Sequence, residues 1–167
     1  GAAAGLTFGQ YSAWDALFNS EEIGFLHLHN IHPRLGPAFL RWIASRGVPA
    51  LFSIHNHRFY CTNGLALYEG TVCKECSSSA SLTRPVLWNC NGSISKSIYH
   101  SIALSEIRTQ SLLEKAALAL IAPSPYIAHE LEITGIDPRK IRTLPHGVDV
   151  SPADTSKEGK GADVIFA

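Results

Sequence analysis

Methionine is absent from this chain of 167 residues, which opens on Gly1 rather than on an initiator. We therefore expect the chain to be truncated at its start. The other end gives the same expectation. Residues 162–167 form an apolar run that is typical of a β-strand, and nothing follows that could pair with it or cover it.

An excess of charge of one sign is also missing, because Lys plus Arg and Asp plus Glu both number 14. The sequence has no long basic run that could follow a phosphate backbone, so we expect no nucleic-acid partner. No stretch approaches the roughly 20 apolar residues of a membrane-spanning helix, and no secretion signal opens the chain. We expect a cytoplasmic protein, at most peripheral to the inner face of a membrane.

Hydrophobic periodicity predicts alternating strands and helices. The predicted strands are residues 23–28, 48–54, 119–122 and 141–144. The predicted helices are residues 11–18, 37–46, 93–118 and 125–134. This alternation indicates an α/β fold with a parallel sheet and flanking helices. Residues 1–150 would form this domain, residues 151–161 a polar linker, and residues 162–167 the first strand of a further domain.

Two pairs of histidines lie at the ends of two predicted strands. His27 and His29 close the first strand, and His55 and His57 follow the second. Residues i and i+2 of a strand share a face, and parallel sheets bind ligands beyond the carboxyl ends of their strands. Imidazoles so placed could hold a metal, so a metal-dependent hydrolase is one hypothesis. Hydrogen bonding or packing is the competing interpretation, since no carboxylate stands beside either pair.

All four cysteines lie in an irregular insertion at residues 55–91, where periodicity fades. They are Cys61, Cys73, Cys76 and Cys90, and the middle two form a C-x-x-C motif. Four thiolates can close a tetrahedral zinc site, which would order a segment too polar to order itself by burial. Free thiols, disulfides and redox chemistry are the alternatives. A zinc-stapled α/β binding module without chemistry is a further hypothesis for the whole chain.

Two shorter motifs follow strands later in the chain. Ser124 stands before the helix predicted at residues 125–134, where its hydroxyl could cap the helix or face a polar ligand. The segment Pro145-His146-Gly147-Val148-Asp149 is typical of a tight turn in which Gly147 takes an unusual backbone conformation. Its position before the polar linker also suits a domain hinge.

The order of these segments resembles the N-terminal, acceptor-side domain of glycosyltransferase family 4, especially its bacterial capsule and exopolysaccharide type. About three quarters of the chain takes part in the resemblance. The matching segments are His27-Leu28-His29-Asn30, Gly47-Val48-Pro49, residues 53–64, the pair Cys73 and Cys76, Ile121-Ala122-Pro123-Ser124, and Pro145-His146-Gly147-Val148-Asp149.

The resemblance implies a GT-B architecture, in which two Rossmann-like domains face each other across a cleft. A sugar would pass from a nucleotide-sugar donor to a glycan or lipid-linked acceptor with retained configuration, and no cofactor would be needed for catalysis. The donor would be held mainly by a C-terminal domain. The resemblance therefore implies part of a Rossmann-like acceptor domain that would not catalyse transfer alone.

The resemblance also implies roles for particular residues. His55 matches the family's cleft histidine and would be the catalytic residue. The predicted substrate-binding residues are His29, Asn30, Asn56, Arg58 and Ser124. Three positions depart from the residues commonest in the family: His57 in place of Tyr, Thr62 in place of Pro, and His146 in place of Asn.

Overall fold

The structure is a computed structural model that describes residues 8–20, 23–78 and 82–147. The linker predicted at residues 151–161 and the strand predicted at residues 162–167 lie outside these ranges. Within them, the strands are β1 (Leu26–His29), β2 (Ala50–Ser53), β3 (Leu67–Tyr68), β4 (Thr71–Val72), β5 (Ala119–Ala122) and β6 (Ile141–Thr143). The helices are α1 (Phe8–Ser20), α2 (Gly36–Arg46), α3 (Glu75–Ser78), α4 (Arg84–Leu87), α5 (Ile94–Thr109), α6 (Leu112–Ala116) and α7 (Pro125–Ile133).

A four-stranded parallel sheet forms the centre of the described chain, with strand order β1-β2-β5-β6. Helix α2 packs against α5 and α6, and α7 packs against β5 and β6. A short 3₁₀ helix, Pro138–Lys140, leads into β6. The predicted Rossmann-like α/β fold is therefore confirmed.

Apolar side chains from the sheet and from α2 form the core. Phe52 and Leu120 on neighbouring strands are almost completely buried, as are Phe39 and Leu40 of α2. The face of α1 joins this core through Trp14, whose ring lies 5.4 Å from that of Phe39. Burial of such side chains is the main favourable term in folding, which explains why these helices follow the predicted apolar spacing.

The ends of α2 and α7 agree with the capping residues in the sequence. Gly47 follows α2 with a φ of 66°, a left-handed conformation that glycine adopts without steric cost. Ser124 precedes α7, and its Oγ accepts a hydrogen bond of 3.4 Å from the N–H of Ile127. Gly135, two residues after the end of α7, has a φ of 94°.

The first strand is shorter and less buried than predicted. Strand β1 begins at Leu26 rather than at residue 23, and its side chains alternate between half-buried and exposed. It is the edge strand of the described sheet, paired through Leu26 with Ala50 and through His29 with Ser53. A strand at the edge of a sheet is covered less completely than a central strand. The apolar run at residues 23–28 therefore suggests more burial than the structure has. Strand β2 is likewise shorter than residues 48–54.

The long helix predicted at residues 93–118 is two helices, α5 and α6. Ser111 separates them with a φ of 49°, and the N–H of Gln110 bonds back to the carbonyl of Glu106. The left-handed residue changes the direction of the chain, which buries Leu112 and Leu113 in the core. Periodicity alone could not show this break, because Ser is tolerated inside helices.

The insertion at residues 55–91 is largely irregular, as predicted, but it contains a small hairpin and two one-turn helices. Strands β3 and β4 pair antiparallel, and α3 and α4 follow them. Across the described ranges, no helix is both long and apolar enough to cross a bilayer.

We predict that Ser111→Gly stabilises the protein. A left-handed backbone costs a non-glycine residue roughly 1 kcal/mol, and glycine's larger unfolded-state entropy offsets part of this gain, which leaves about 0.5 kcal/mol. Urea unfolding of both proteins measures the difference. The control is Ser105→Gly inside α5, which should lower the free energy of unfolding by roughly 0.5 kcal/mol. Loss of stability in Ser111→Gly would contradict the strain assigned to this turn.

Candidate functional site

A cleft of about 290 Å³ opens at the carboxyl edge of the parallel sheet. Each of the four strands, or the segment directly after it, contributes to its lining. The lining residues are His27, His29, Ser53, His55, Ile121, Pro123, Leu144, Pro145, His146 and Gly147. Ligands of open α/β sheets bind at this edge, so the cleft is the candidate functional site.

Four imidazole rings form a continuous array along the cleft. The ring centroids of His27 and His29 are 4.2 Å apart, as expected for alternate residues of one strand. His29 stacks on His55 at 5.1 Å, and His55 stacks on His146 at 5.2 Å. His27 is fixed at the other end by a hydrogen bond of 2.9 Å between its Nε2 and Oγ of Ser53.

His29 and His55 share one proton through a hydrogen bond of 2.8 Å between Nδ1 of His29 and Nε2 of His55. One of these nitrogens must donate and the other accept, so the pair cannot carry a proton on both. Among the described residues, Nδ1 of His55 has no hydrogen-bond partner, and His55 itself is exposed. A ligand in the cleft can therefore reach that nitrogen.

The pKa of His55 is lowered from its ordinary value of 6.5. Partial desolvation contributes most, followed by the charges of His29, His146 and His27. A cation on any of these rings disfavours a second cation beside it. His55 is therefore neutral at neutral pH and acts as a hydrogen-bonding group rather than as a fixed positive charge.

The second histidine pair does not stay together. Nδ1 of His57 hydrogen-bonds to the hydroxyl of Tyr60, and its ring lies 6.2 Å from that of Tyr126. His55 joins the cleft instead, because the chain leaves the sheet at Ile54 and the alternation of a strand no longer applies. The four-histidine arrangement required by the hydrolase hypothesis is therefore not formed. Within the described part of the chain, no group of three His, Cys, Asp or Glu side chains is placed to hold a metal ion.

The predicted residues Asn30 and Asn56 meet at the ends of β1 and β2. Nδ2 of Asn56 donates to Oδ1 of Asn30 at 2.8 Å, and Oδ1 of Asn56 accepts from the N–H of Arg58 at 3.0 Å. Asn30 has a φ of 48°, which turns the chain away from the strand. This amide pair ties together the two loops that carry His29 and His55.

Arg58 lies apart from the residues that line the histidine cleft. Its Nη1 donates to the carbonyl of Thr62 at 3.0 Å, and its side chain packs over Gly64. A Cβ on Gly64 would lie 2.7 Å from Nε of Arg58. The charge of Arg58 instead acts on His32 and His100. A role for Arg58 at the substrate stays a prediction.

His32 is buried, with 4% of its surface exposed, and its ring lies 6.1 Å from those of Phe59 and His100. Burial lowers the pKa of His32 to about 4, with further contributions from His100 and Arg58. Its Nδ1 is buried and has no hydrogen-bond partner among the described residues. His32 therefore stays neutral until strongly acidic pH.

The two later motifs supply different parts of the cleft. Ser124 caps α7, as described above, and its neighbour Pro123 lines the cleft wall. Gly147 lies at the rim, but its backbone does not enter the left-handed region, so the expected unusual conformation is wrong. The two residues that complete the proposed hinge, Val148 and Asp149, lie outside the described ranges.

The four cysteines are free thiols in one neighbourhood of the insertion. Sγ of Cys61 donates to Oδ1 of Asn63 at 3.1 Å. Interaction between the thiols of Cys61 and Cys76 lowers the pKa of Cys61 and raises that of Cys76. Burial raises the pKa of Cys90, and the charges of Cys61 and Cys73 add to this effect. The zinc site predicted from these cysteines stays a prediction.

The sequence predicts His29 and His55 as site residues, and both line the cleft, but it does not predict Ser53 or His146. Ser53 is the hydroxyl that holds His27, and the signal for it is a polar residue at the end of an apolar strand. In the sequence, His146 stands in the predicted turn and differs from the family's usual residue, and neither feature assigns it to the site. Its stacking on His55 joins residues about ninety positions apart in the chain, which no local pattern indicates.

Comparison with known families identifies the kind of domain that carries this cleft. The sequence model of Glycosyltransferase Family 4 matches residues 2–152. The chain belongs to glycosyltransferase family 4. The histidine cleft thus lies in a glycosyltransferase domain of the GT-B type, at the edge of the sheet where such a fold binds its ligands. No curated protein and no solved structure matches the chain.

In this family 4 domain, we predict that His146→Asn raises the pKa of His55. The charge of His146 is one of the causes that lower this pKa, and asparagine carries no charge. Titration of the imidazole resonances by NMR measures the change. His129→Asn removes an exposed imidazole of α7 and should leave the pKa of His55 unaltered. An unchanged His55 in His146→Asn would show that the stacked rings do not interact electrostatically.

A second prediction concerns acid stability. The pKa of His32 is 6.5 in the unfolded chain and about 4 in the folded protein. The contribution of neutral His32 to the free energy of unfolding is therefore complete above pH 6.5 and is lost as the pH falls toward 4. This difference makes the free energy of unfolding about 2 kcal/mol smaller at pH 5 than at pH 7. Urea unfolding at both pH values should show a smaller difference in His32→Gln. The same pH dependence in both proteins would contradict the assignment.

Proposed function

We propose that this domain forms the acceptor side of a retaining glycosyltransferase, and that His55 is its catalytic residue. The sugar would pass from a nucleotide-sugar donor to a hydroxyl of a glycan or lipid-linked acceptor in the cytoplasm. The observation that carries this proposal is the position of His55, held between two stacked imidazoles at the carboxyl edge of the sheet, in a chain of family 4.

The contacts of His55 suit a hydrogen bond to the transferring sugar or to a donor phosphate. Its Nε2 is engaged with His29, which leaves Nδ1 for the ligand. When Nδ1 of His29 donates to His55, the tautomer of His55 carries its proton on Nδ1 and can donate that proton to an oxygen of the ligand. Such a donor, fixed before the reaction, stabilises charge that develops on oxygen in the transition state.

His29 and Asn56 position the catalytic side chain. His29 fixes the ring and tautomer of His55, and the amide pair of Asn30 and Asn56 joins the loops on which both histidines stand. A catalytic group gains much of its effect from a fixed geometry, so this support contributes to rate even where it does not touch the substrate. Asn30 and Ser124 would contact the acceptor from the surrounding wall, and Arg58, which lies apart from the histidine cleft, would contact a more distant part of the acceptor.

The cleft also has apolar residues in its lining. Ile121, Pro123 and Leu144 line the cleft together with the imidazoles. A mixture of apolar surface and a few fixed polar groups is usual for small-molecule sites and suits a sugar ring, which has apolar faces and a polar edge. We propose that the donor is held mainly by a second domain facing this cleft, and that transfer requires no cofactor.

We predict that His55→Ala lowers kcat roughly 100-fold, the usual effect of removing one donor to a developing charge. The measurement is transfer of labelled sugar by the natural protein that carries this domain. Because His55 is exposed, thermal unfolding should change little.

His129→Ala, an exposed histidine of α7, is the matched control and should retain both activity and stability. His55→Gln should recover part of the rate, because its amide can still donate a hydrogen bond. Full activity of His55→Ala together with a lower melting temperature would make His55 a structural residue and would contradict the proposed role.

A further inference from the structure

Tyr126 is an exposed aromatic residue in the first turn of α7, with 42% of its surface accessible. It stands at the carboxyl edge of the sheet, because α7 begins shortly after β5 ends. Pro123, three residues before it, lines the histidine cleft. Tyrosine presents an apolar ring and a polar hydroxyl, so an exposed tyrosine beside a candidate site is a surface on which a ligand can stack.

His57 meets this ring from the neighbouring loop. Strand β2 pairs with β5, so the segments that follow these two strands leave the sheet side by side. The rings of His57 and Tyr126 are 6.2 Å apart and nearly perpendicular, at 82°. His57 follows His55 by two residues, which places their Cα atoms within about 7 Å of each other. The contact between His57 and Tyr126 therefore lies next to the histidine cleft.

The hydrogen bond from Tyr60 sets the orientation of His57. Tyr60 is buried, with 1% of its surface exposed, and its hydroxyl pairs with Nδ1 of His57. Within the described ranges, Nε2 of His57 and the hydroxyl of Tyr126 have no hydrogen-bond partner. Both groups can therefore bond to a ligand, and each can donate or accept according to its protonation.

Lys74 brings a third polar group to the same ring. Its Nζ lies 5.7 Å from the centre of the Tyr126 ring and forms an ion pair of 2.9 Å with Oε1 of Glu130. Glu130 follows Tyr126 by one helical turn, and 2% of its side chain is exposed, against 51% for Lys74. An ammonium group has three N–H donors, so those that Glu130 does not use remain for a ligand.

The ion pair fixes the position of this ammonium group without adding net charge. A buried carboxylate that loses its partner is strongly destabilising, so Glu130 holds Nζ of Lys74 beside the ring. The two charges cancel, which leaves hydrogen-bond donors with no excess of positive charge. Such surroundings suit a neutral ligand with several hydroxyl groups better than they suit an anion.

We propose that Tyr126, His57 and Lys74 form a second sugar subsite. A neutral sugar ring of the acceptor glycan stacks on Tyr126, and its hydroxyl groups bond to Nε2 of His57 and Nζ of Lys74. A sugar ring has apolar faces and a polar edge, which these side chains match. The inference rests on the function proposed above, since it takes the acceptor to be a glycan bound at this edge of the sheet. It adds a sugar other than the one at His55 to acceptor recognition.

The binding test uses NMR spectra of the chain with neutral methyl glycosides as probes, namely those of hexoses, deoxyhexoses and N-acetylhexosamines. We expect at least one probe to shift the ring resonances of Tyr126 and His57. The shift at His57 should disappear in Tyr126→Ala and remain in Tyr126→Phe, which keeps the ring. Tyr99→Ala removes a half-buried tyrosine of α5, and this control should retain the shifts.

Two results would overturn the subsite. One is the absence of any shift at Tyr126 and His57 with every probe. The other is a shift at His57 that persists in Tyr126→Ala. Shifts confined to His29, His55 and His146 would give the first result and leave the proposed function intact. If Tyr126→Ala fails to fold, the spectra of the unaltered chain still decide, because they show which rings a probe contacts.

Kinetics of the natural protein that carries this domain separate the subsite from the catalytic role of His55. Tyr126→Ala should raise the KM for the acceptor roughly tenfold, because the lost stacking acts on substrate and transition state alike. The kcat at saturating acceptor and the KM for the donor should not change, and Tyr126→Trp should restore the KM for the acceptor. An unchanged KM for the acceptor in Tyr126→Ala would overturn the subsite. No sugar transfer by the unaltered protein would instead contradict the proposed function.

Discussion

The parallel pairing of β1 with β2 is the constraint on which the functional site depends. Its register sets His29 opposite Ser53, so both strands end at the same edge. Parallel strands need a crossover between them, and the crossover brings residues 26 positions apart to within hydrogen-bonding distance. The bonds from His27 to Ser53, from His29 to His55 and from Asn56 to Asn30 all follow from this one register.

The hydrogen-bonding properties of the cleft depend on the contacts between its imidazole rings. Desolvation and the neighbouring charges of His29, His146 and His27 lower the pKa of His55, because a cation disfavours a second cation beside it. The lowered pKa of His55 keeps its ring neutral near pH 7, so this ring acts as a hydrogen-bonding group. This property distinguishes it from a phosphate site made by Arg and Lys side chains, and it fits a site in which geometry rather than net charge orients the ligand.

The insertion at residues 55–91 carries residues of the site, so the contacts that stabilise the insertion also support the site. Its first residues, directly after β2, carry His55 and Asn56, and its later residues carry the cysteines. Lys74 and Tyr126 are in cation–π contact at 5.7 Å, and His57 approaches the same ring, so α7 supports the insertion from the other side. A segment with exposed apolar side chains is thus held by polar and ring contacts at its base, close to the residues that face the cleft.

The sequence by itself determined the features that depend on short-range pattern. The α/β alternation, the strand ends that carry polar residues, the caps at Gly47 and Ser124, and the family motifs could all be read locally, because propensity and spacing act over a few residues. Tertiary structure alone decided which side chains meet. It turned His57 and Arg58 away from the cleft, brought His146 onto His55, and broke the long helix at Ser111. These outcomes depend on packing between residues far apart in the chain. The direction of a loop is set by the elements that pack against it in space rather than by its own sequence.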